Sequence, residues 1–166
     1  RSASILPSLY DGDFDRVYGS AIFKFSTHAV KQFTTQYPDG ILGGTGTYSL
    51  STVEQITGPY EKYSYEDYPN FDASIGFTQR GCRMACGFCK VPVIEGKIRP
   101  DETIAGVWRG EPHPKNLILW DNDTFGAKDW RETFRAILDG GFRVSFNQGV
   151  NARLMNEEKA EVIAAT

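Results

Sequence analysis

The second half of the chain alternates between two hydrophobic periods, and that alternation most limits what it can fold into. Asn116–Trp120, NLILW, is a short apolar run of buried-strand type. From about Lys128 to Leu138, Trp130, Phe134, Ile137 and Leu138 recur at helical spacing, and Gly140-Gly141 ends the helix. Phe142–Gln148 returns to a strand, with Val144 and Phe146 on one face. Asn156 then caps a helix whose first turn carries Glu157 and Glu158. Upstream, Ser74–Thr78 reads as a strand and Asp101–Arg109 as a helix. Strands separated by helices predict an α/β fold with parallel pairing and right-handed crossovers.

The first half repeats the theme less clearly. Arg16–Phe25 reads as a strand, with Val17, Ile22, Phe23 and Phe25 as β-formers. Ser26 or Thr27 caps a helix from about His28 to Tyr37, with Val30, Phe33 and Tyr37 on one face. Pro38-Asp39-Gly40 stops it, and Ile41-Leu42 runs as a strand into Gly43–Gly46. Residues 47–72 lack periodicity and read as an irregular connector, with a short helix near Ser51–Ile56. The division is therefore 1–46, 47–72 and 73–166. The chain has 166 residues and a net charge of −3, so bulk charge gives no argument for a nucleic-acid partner. No apolar run approaches the roughly 18 residues of a membrane span, and no stretch has signal-peptide order. The first residue is Arg1, which predicts a processed chain or an excerpt from a longer one.

All three cysteines lie between residues 82 and 89, in the loop Gly81-Cys82-Arg83-Met84-Ala85-Cys86-Gly87-Phe88-Cys89. An odd, tightly spaced set cannot form a full disulfide framework, and clustered thiols point to metal binding in a reducing, cytoplasmic setting. Three thiolates at C-x3-C-x2-C spacing can reach three irons of a 4Fe–4S cube. The fourth iron then stays open to an exogenous ligand, as the free position of a catalytic zinc does. Gly81 and Gly87 allow tight backbone turns, and Phe88 is expected to shield the cluster from water. The rival is a non-enzymatic module in which the cysteines hold zinc or a structural cluster. Zinc wants a fourth Cys or His, and His28 and His113 are distant in sequence.

With Phe88 before its last cysteine and a strand before its first, this loop resembles the radical S-adenosylmethionine (SAM) superfamily. The wider string GFTQRGCRMACGFCKVPVIEGKIRP, residues 76–100, resembles its branch with an N-terminal cobalamin-binding-like domain and a methylthiotransferase-like layout. Gly43–Gly46 and Tyr63–Pro69 occupy the places of that branch's glycine segment and Tyr/Pro-rich connector. The resemblance implies that residues 1–46 are the C-terminal part of a Rossmann-like, cobalamin-binding-type domain. It makes residues 73–166 the first half, three β/α units, of a radical SAM partial (β/α) barrel. It implies reductive cleavage of SAM to a 5′-deoxyadenosyl radical, with methyl or methylthio transfer as the reaction its layout favours. Cys82, Cys86 and Cys89 match the cluster ligands, and Phe88 the aromatic near the adenine. Asp121 or Asp123 takes the place that touches the SAM amino group, where relatives often carry Gly-Gly-Glu. Arg153 is placed for the SAM carboxylate, and Gln148 or Asn151 for ribose or substrate. The implied reductant is a flavodoxin or ferredoxin; the substrate is left open. Cobalamin is left open too, because the Asp-x-His-x-x-Gly motif of its lower ligand is absent.

Other residues carry weaker signals. Gly43–Gly46 is a turn or a phosphate cradle. His28 is a surface helix residue. Glu95-Gly96 is a turn with an exposed acid or the family's loop after the cluster. Arg80, Arg83, Lys90, Lys97 and Arg99 either steady an anionic cluster or form a solvated face. If only three β/α units are present, the strand at 142–148 lies at an open edge. An open edge invites a second copy to pair there, giving a homo-oligomer.

Overall fold

The computed structural model describes residues 14–47, 51–58 and 63–166, so part of segment 1–46 and part of connector 47–72 lie outside the described residues. The fold is mixed α/β with small parallel sheets, and the chain divides into two compact units, Arg1–Glu61 and Lys62–Thr166.

In the first unit, β1 (Tyr18–Ser20) is joined through α1 (Thr27–Gln36) to β2 (Ile41–Gly43). The strands pair in parallel, Gly19 opposite Leu42. Phe33 is the buried residue of α1. It fits because Gly19 and Gly40 have no side chain: a Cβ on Gly19 would stand 2.9 Å from both Leu42 and the Phe33 ring. The strand expected over Arg16–Phe25 is shorter. The chain turns at a 3-10 segment, Lys24–Ser26, and leaves Phe23 and Phe25 exposed with stacked rings 5.0 Å apart. Neither expected cap acts as a side-chain cap on α1; Thr27 Oγ1 instead donates to the Lys24 carbonyl. The glycine run has a structural purpose here. Gly44 has φ +102°, and a Cβ there would overlap the Ala21 carbonyl. The helix expected near Ser51–Ile56 is α2 (Val53–Thr57), opened by a reciprocal Thr52–Gln55 capping box.

The second unit runs β3 (Ser74–Gly76), β4 (Gln79–Arg80), α3 (Val91–Ile94), β5 (Arg99–Pro100), α4 (Ile104–Val107), β6 (Asn116–Leu119), α5 (Trp130–Gly140), β7 (Arg143–Phe146) and α6 (Glu157–Ala164). Strands β3, β6 and β7 form one parallel sheet with β6 in the centre, and β4 pairs antiparallel with β5. Leu117 and Leu119 of β6 are fully buried against Ile104 and Val107 of α4 and Phe134 and Ile137 of α5. An aromatic cluster completes this core, with Phe134 stacked between Phe125 (5.2 Å) and Phe146 (5.4 Å). The alternate residues, Asn116 and Ile118, line an open groove of about 340 Å³ with Arg143 and Ser145.

Two helices differ from expectation. The helix expected over Asp101–Arg109 shrinks to α4, because the amides of Asp101 and Glu102 bond to the carbonyls of Thr78 and Phe77. Thr103 then caps it, accepting from the Gly106 amide. In α5, Trp130, Phe134 and Ile137 are buried but Leu138 is exposed, so the apolar stripe is narrower than the sequence suggested. Gly141 closes α5 in the left-handed region, φ 65°. Asn156 caps α6 as expected, accepting from the Lys159 amide. Among the described residues no helix is long and apolar enough to cross a membrane.

Candidate cysteine-loop site

Parallel pairing puts the carboxyl ends of β3, β6 and β7 on one edge of the sheet. The cysteine loop follows β3 and β4, Trp120–Asp123 follows β6, and Asn147–Arg153 follows β7. Each expected site residue therefore belongs to a segment that leaves the same edge, where parallel sheets bind ligands.

The loop is tied at its neck. Gly81 has φ +78°, and a Cβ there would overlap the Lys97 carbonyl. Its amide donates to Glu95 Oε2 at 2.8 Å, and the Cys82 amide donates to the Gly96 carbonyl at 3.2 Å. Glu95 Oε2 also accepts from Asn122 Nδ2 at 3.1 Å, joining the neck to the end of β6. Arg80 lies 3.6 Å from Glu95 and 3.4 Å from Asp101, with its guanidinium 3.7 Å over the Phe77 ring. The loop's body is tied more loosely. Arg83 Nε stands 2.9 Å from Asp123 Oδ2, and the Cys89 amide turns back to the Cys86 carbonyl.

Cys82, Cys86 and Cys89 are free thiols of intermediate burial. Burial pushes the Cys82 thiol up, helped by the charges of Asp123, Cys89 and Cys86 and opposed by the Met84 amide. The three sulfurs thus share one electrostatic neighbourhood. Even so, among the described residues no group of three or more His, Cys, Asp or Glu side chains is arranged to hold a metal ion. The donor set suits an iron–sulfur cube: three thiols on one loop, with no imidazole in such a group. Drawing them together requires the loop tip to shift. The tip has room to do so, since nothing lies within 4 Å of where a Gly87 Cβ would be. Phe88 corrects one expectation. It is 91% exposed, so in this conformation it shields nothing.

The two carboxylates after β6 differ. Asp121 is buried and committed: Thr78 donates to it from amide and hydroxyl, and Gln79 from its amide. Its carboxyl is pushed up by burial, against those hydrogen bonds. Asp123 is equally buried, yet neither oxygen accepts a hydrogen bond; its contact with Arg83 is one of charge alone. The Gln79 side-chain carboxamide and the Thr124 hydroxyl are also buried without hydrogen-bond partners. Beyond β7, Gln148 and Arg153 are exposed. Asn151 uses its side-chain oxygen to accept from the Arg153 amide.

Sequence reading missed Glu95 and Asn122 as a pair, because a contact spanning 27 residues between two loops leaves no periodic signal. Compared with family models, with curated proteins and with solved structures, the chain matches none.

Proposed function

We propose that the second unit is a radical SAM module in which Cys82, Cys86 and Cys89 hold a 4Fe–4S cluster. The observation that carries this is a loop of three free, half-buried thiols at C-x3-C-x2-C spacing, reached from β3 of the parallel sheet through the short strand β4. When bound, cluster and SAM supply a reductively generated 5′-deoxyadenosyl radical that abstracts hydrogen from a substrate. The chain's own residues bind and orient. Asp123, whose buried carboxylate is ion-paired with Arg83 through Oδ2 and accepts no hydrogen bond at Oδ1, is the better acceptor for the SAM ammonium, and Asp121 holds the corner at Thr78 and Gln79. Arg153 offers an exposed guanidinium to the SAM carboxylate. Gln148 and Asn151 stand near by in sequence for ribose or substrate, and Phe88 covers the adenine once the loop tip folds inward. The finer fold readings belong to the same proposal. The β1–α1–β2 pair is consistent with a Rossmann-type segment, and the β3–β6–β7 sheet with half of a partial barrel. Methyl or methylthio transfer, driven by a flavodoxin or ferredoxin, is the reaction class proposed.

Anaerobic reconstitution is expected to give about four irons and four sulfides per chain. Reduction in the presence of SAM should then release 5′-deoxyadenosine. Stoichiometric zinc without sulfide would instead establish the non-enzymatic metal module. Asp123→Ala and Arg153→Ala should each weaken SAM binding by about 1.5–3 kcal/mol, the value of a hydrogen bond to a charged group. Unchanged affinity in both would refute these contacts.

A further inference from the structure

We infer that Glu95 is a positioning residue that clasps the neck of the cysteine loop and fixes its base beside Cys82, leaving only the tip to bring the thiols together; this rests on the metal reading above. Glu95 follows the loop, 14 residues after Gly81. Its one carboxylate meets two separate pieces of chain, Arg80–Gly81 and Asn122. Oε2 takes the Gly81 amide, just ahead of the first cysteine, and the Asn122 side chain at the end of β6. Oε1 faces Arg80 at 3.6 Å. The next residue, Gly96, accepts the Cys82 amide. Residues 81–96 are therefore a closed loop, shut at its base by two adjacent ties. The Glu95 side chain is only 20% exposed and that of Arg80 17%, so these contacts are partly screened from water.

The consequence is thermodynamic. Three ligands on an untied segment must lose chain freedom when they converge on a metal. Closing the loop in the folded protein takes that loss in advance, because the entropy of joining its ends is already spent. Only the tip, around Gly87, then remains to adjust. A carboxylate suits this place better than an amide would. Both its oxygens accept, and the charge strengthens the bond from Gly81 and faces the Arg80 cation. Outer residues that hold metal ligands in place commonly change metal affinity by about 10–100-fold when lost.

The test uses the full chain without air and Co²⁺ alone as the probe, read by thiolate-to-cobalt absorption. Hydrogen exchange at the Gly81 and Cys82 amides is measured in parallel without metal. Glu95→Ala is expected to weaken Co²⁺ binding about 10–100-fold and to speed exchange at Gly81. Glu95→Gln keeps an oxygen for Gly81 and Asn122, so it should recover much of the affinity. Should Glu95→Ala fail to fold, Asn122→Ala removes one tie and serves the same comparison. Wild-type Co²⁺ affinity in Glu95→Ala together with unchanged Gly81 exchange would overturn the clasp. An absence of cobalt–thiolate absorption in the wild type would overturn the metal reading and the role built on it. In that case exchange at Gly81 still reports separately whether the tie exists.

Discussion

Asp121 is a buried carboxylate held by several hydrogen bonds, beside a buried neighbour, Asp123, whose partner is the Arg83 cation. It satisfies the Thr78 and Gln79 amides at the corner that leads into the cysteine loop. Asp121→Ala leaves those donors buried without a partner, so a loss of about 1–3 kcal/mol is expected in urea unfolding. Asp121→Asn keeps one acceptor and should lose less. The pH dependence has a definite sign. Burial raises the folded carboxyl above its unfolded value, so the folded state binds the proton more tightly. Stability contributed by that proton is full below the ordinary Asp value of about 3.9 and declines as pH rises through the raised one. Asp121→Asn is expected to flatten this decline, which unfolding curves across the acid range would show. An unaltered slope would assign the decline to other groups.

Among elements, α6 and the β1–β2 pair depend on single residues. Asn156 caps α6, and Glu157 and Glu158 occupy its first turn. Asn156→Ala should cost about 1 kcal/mol, seen as a lower urea midpoint and faster exchange at the Lys159 amide. Arg131 and Glu158 join α5 to α6 through two hydrogen bonds of 2.6 and 2.7 Å, and Arg131 holds the Glu158 carboxyl below its ordinary value. Both side chains are exposed, so salt should screen this pair while leaving the cap effect intact. In the first unit Gly44 is irreplaceable for a backbone reason. Gly44→Ala meets both its positive φ and the Ala21 carbonyl, and a loss of more than about 1 kcal/mol is expected. Exchange across Tyr18–Ser20 and Ile41–Gly43 would register it.

Across the whole molecule, the two compact units give separate places to look for protection. In the second unit β6 is paired on both sides, whereas β7 is paired only with β6 among the described strands. The slowest exchange is therefore expected at the central strand, around Leu117 and Leu119, with β7 opening sooner. An edge strand offers unpaired backbone groups to a second copy. Light scattering should show mass rising with concentration, and β7 should gain protection in parallel. A monomer at every concentration, with β7 as protected as β6, would remove that expectation.

The elements of the second unit were legible because period and punctuation agree along the chain. NLILW, the Trp130–Phe134–Ile137 stripe, the Gly141 stop and the Asn156 cap each encode their structure within a few residues. The cysteine spacing likewise put three thiols on one short loop, and the structure keeps them there as free thiols. Element lengths were less legible: tertiary hydrogen bonds from Asp101 and Glu102 leave the helix expected over Asp101–Arg109 only the turn Ile104–Val107, and a 3-10 turn at Lys24–Ser26 ends the first strand early. Three properties came from the tertiary structure alone. It separated Asp121, fully bonded, from Asp123, buried without a hydrogen-bond partner, although the two lie two residues apart. It turned Glu95 from a loop acid into the tie between Gly81 and Asn122. It also left Phe88 in solvent. The physical reason is common to all three: the partner of a buried polar group or an aromatic ring is set by which distant segments the packed sheet brings together, and local sequence carries no record of that.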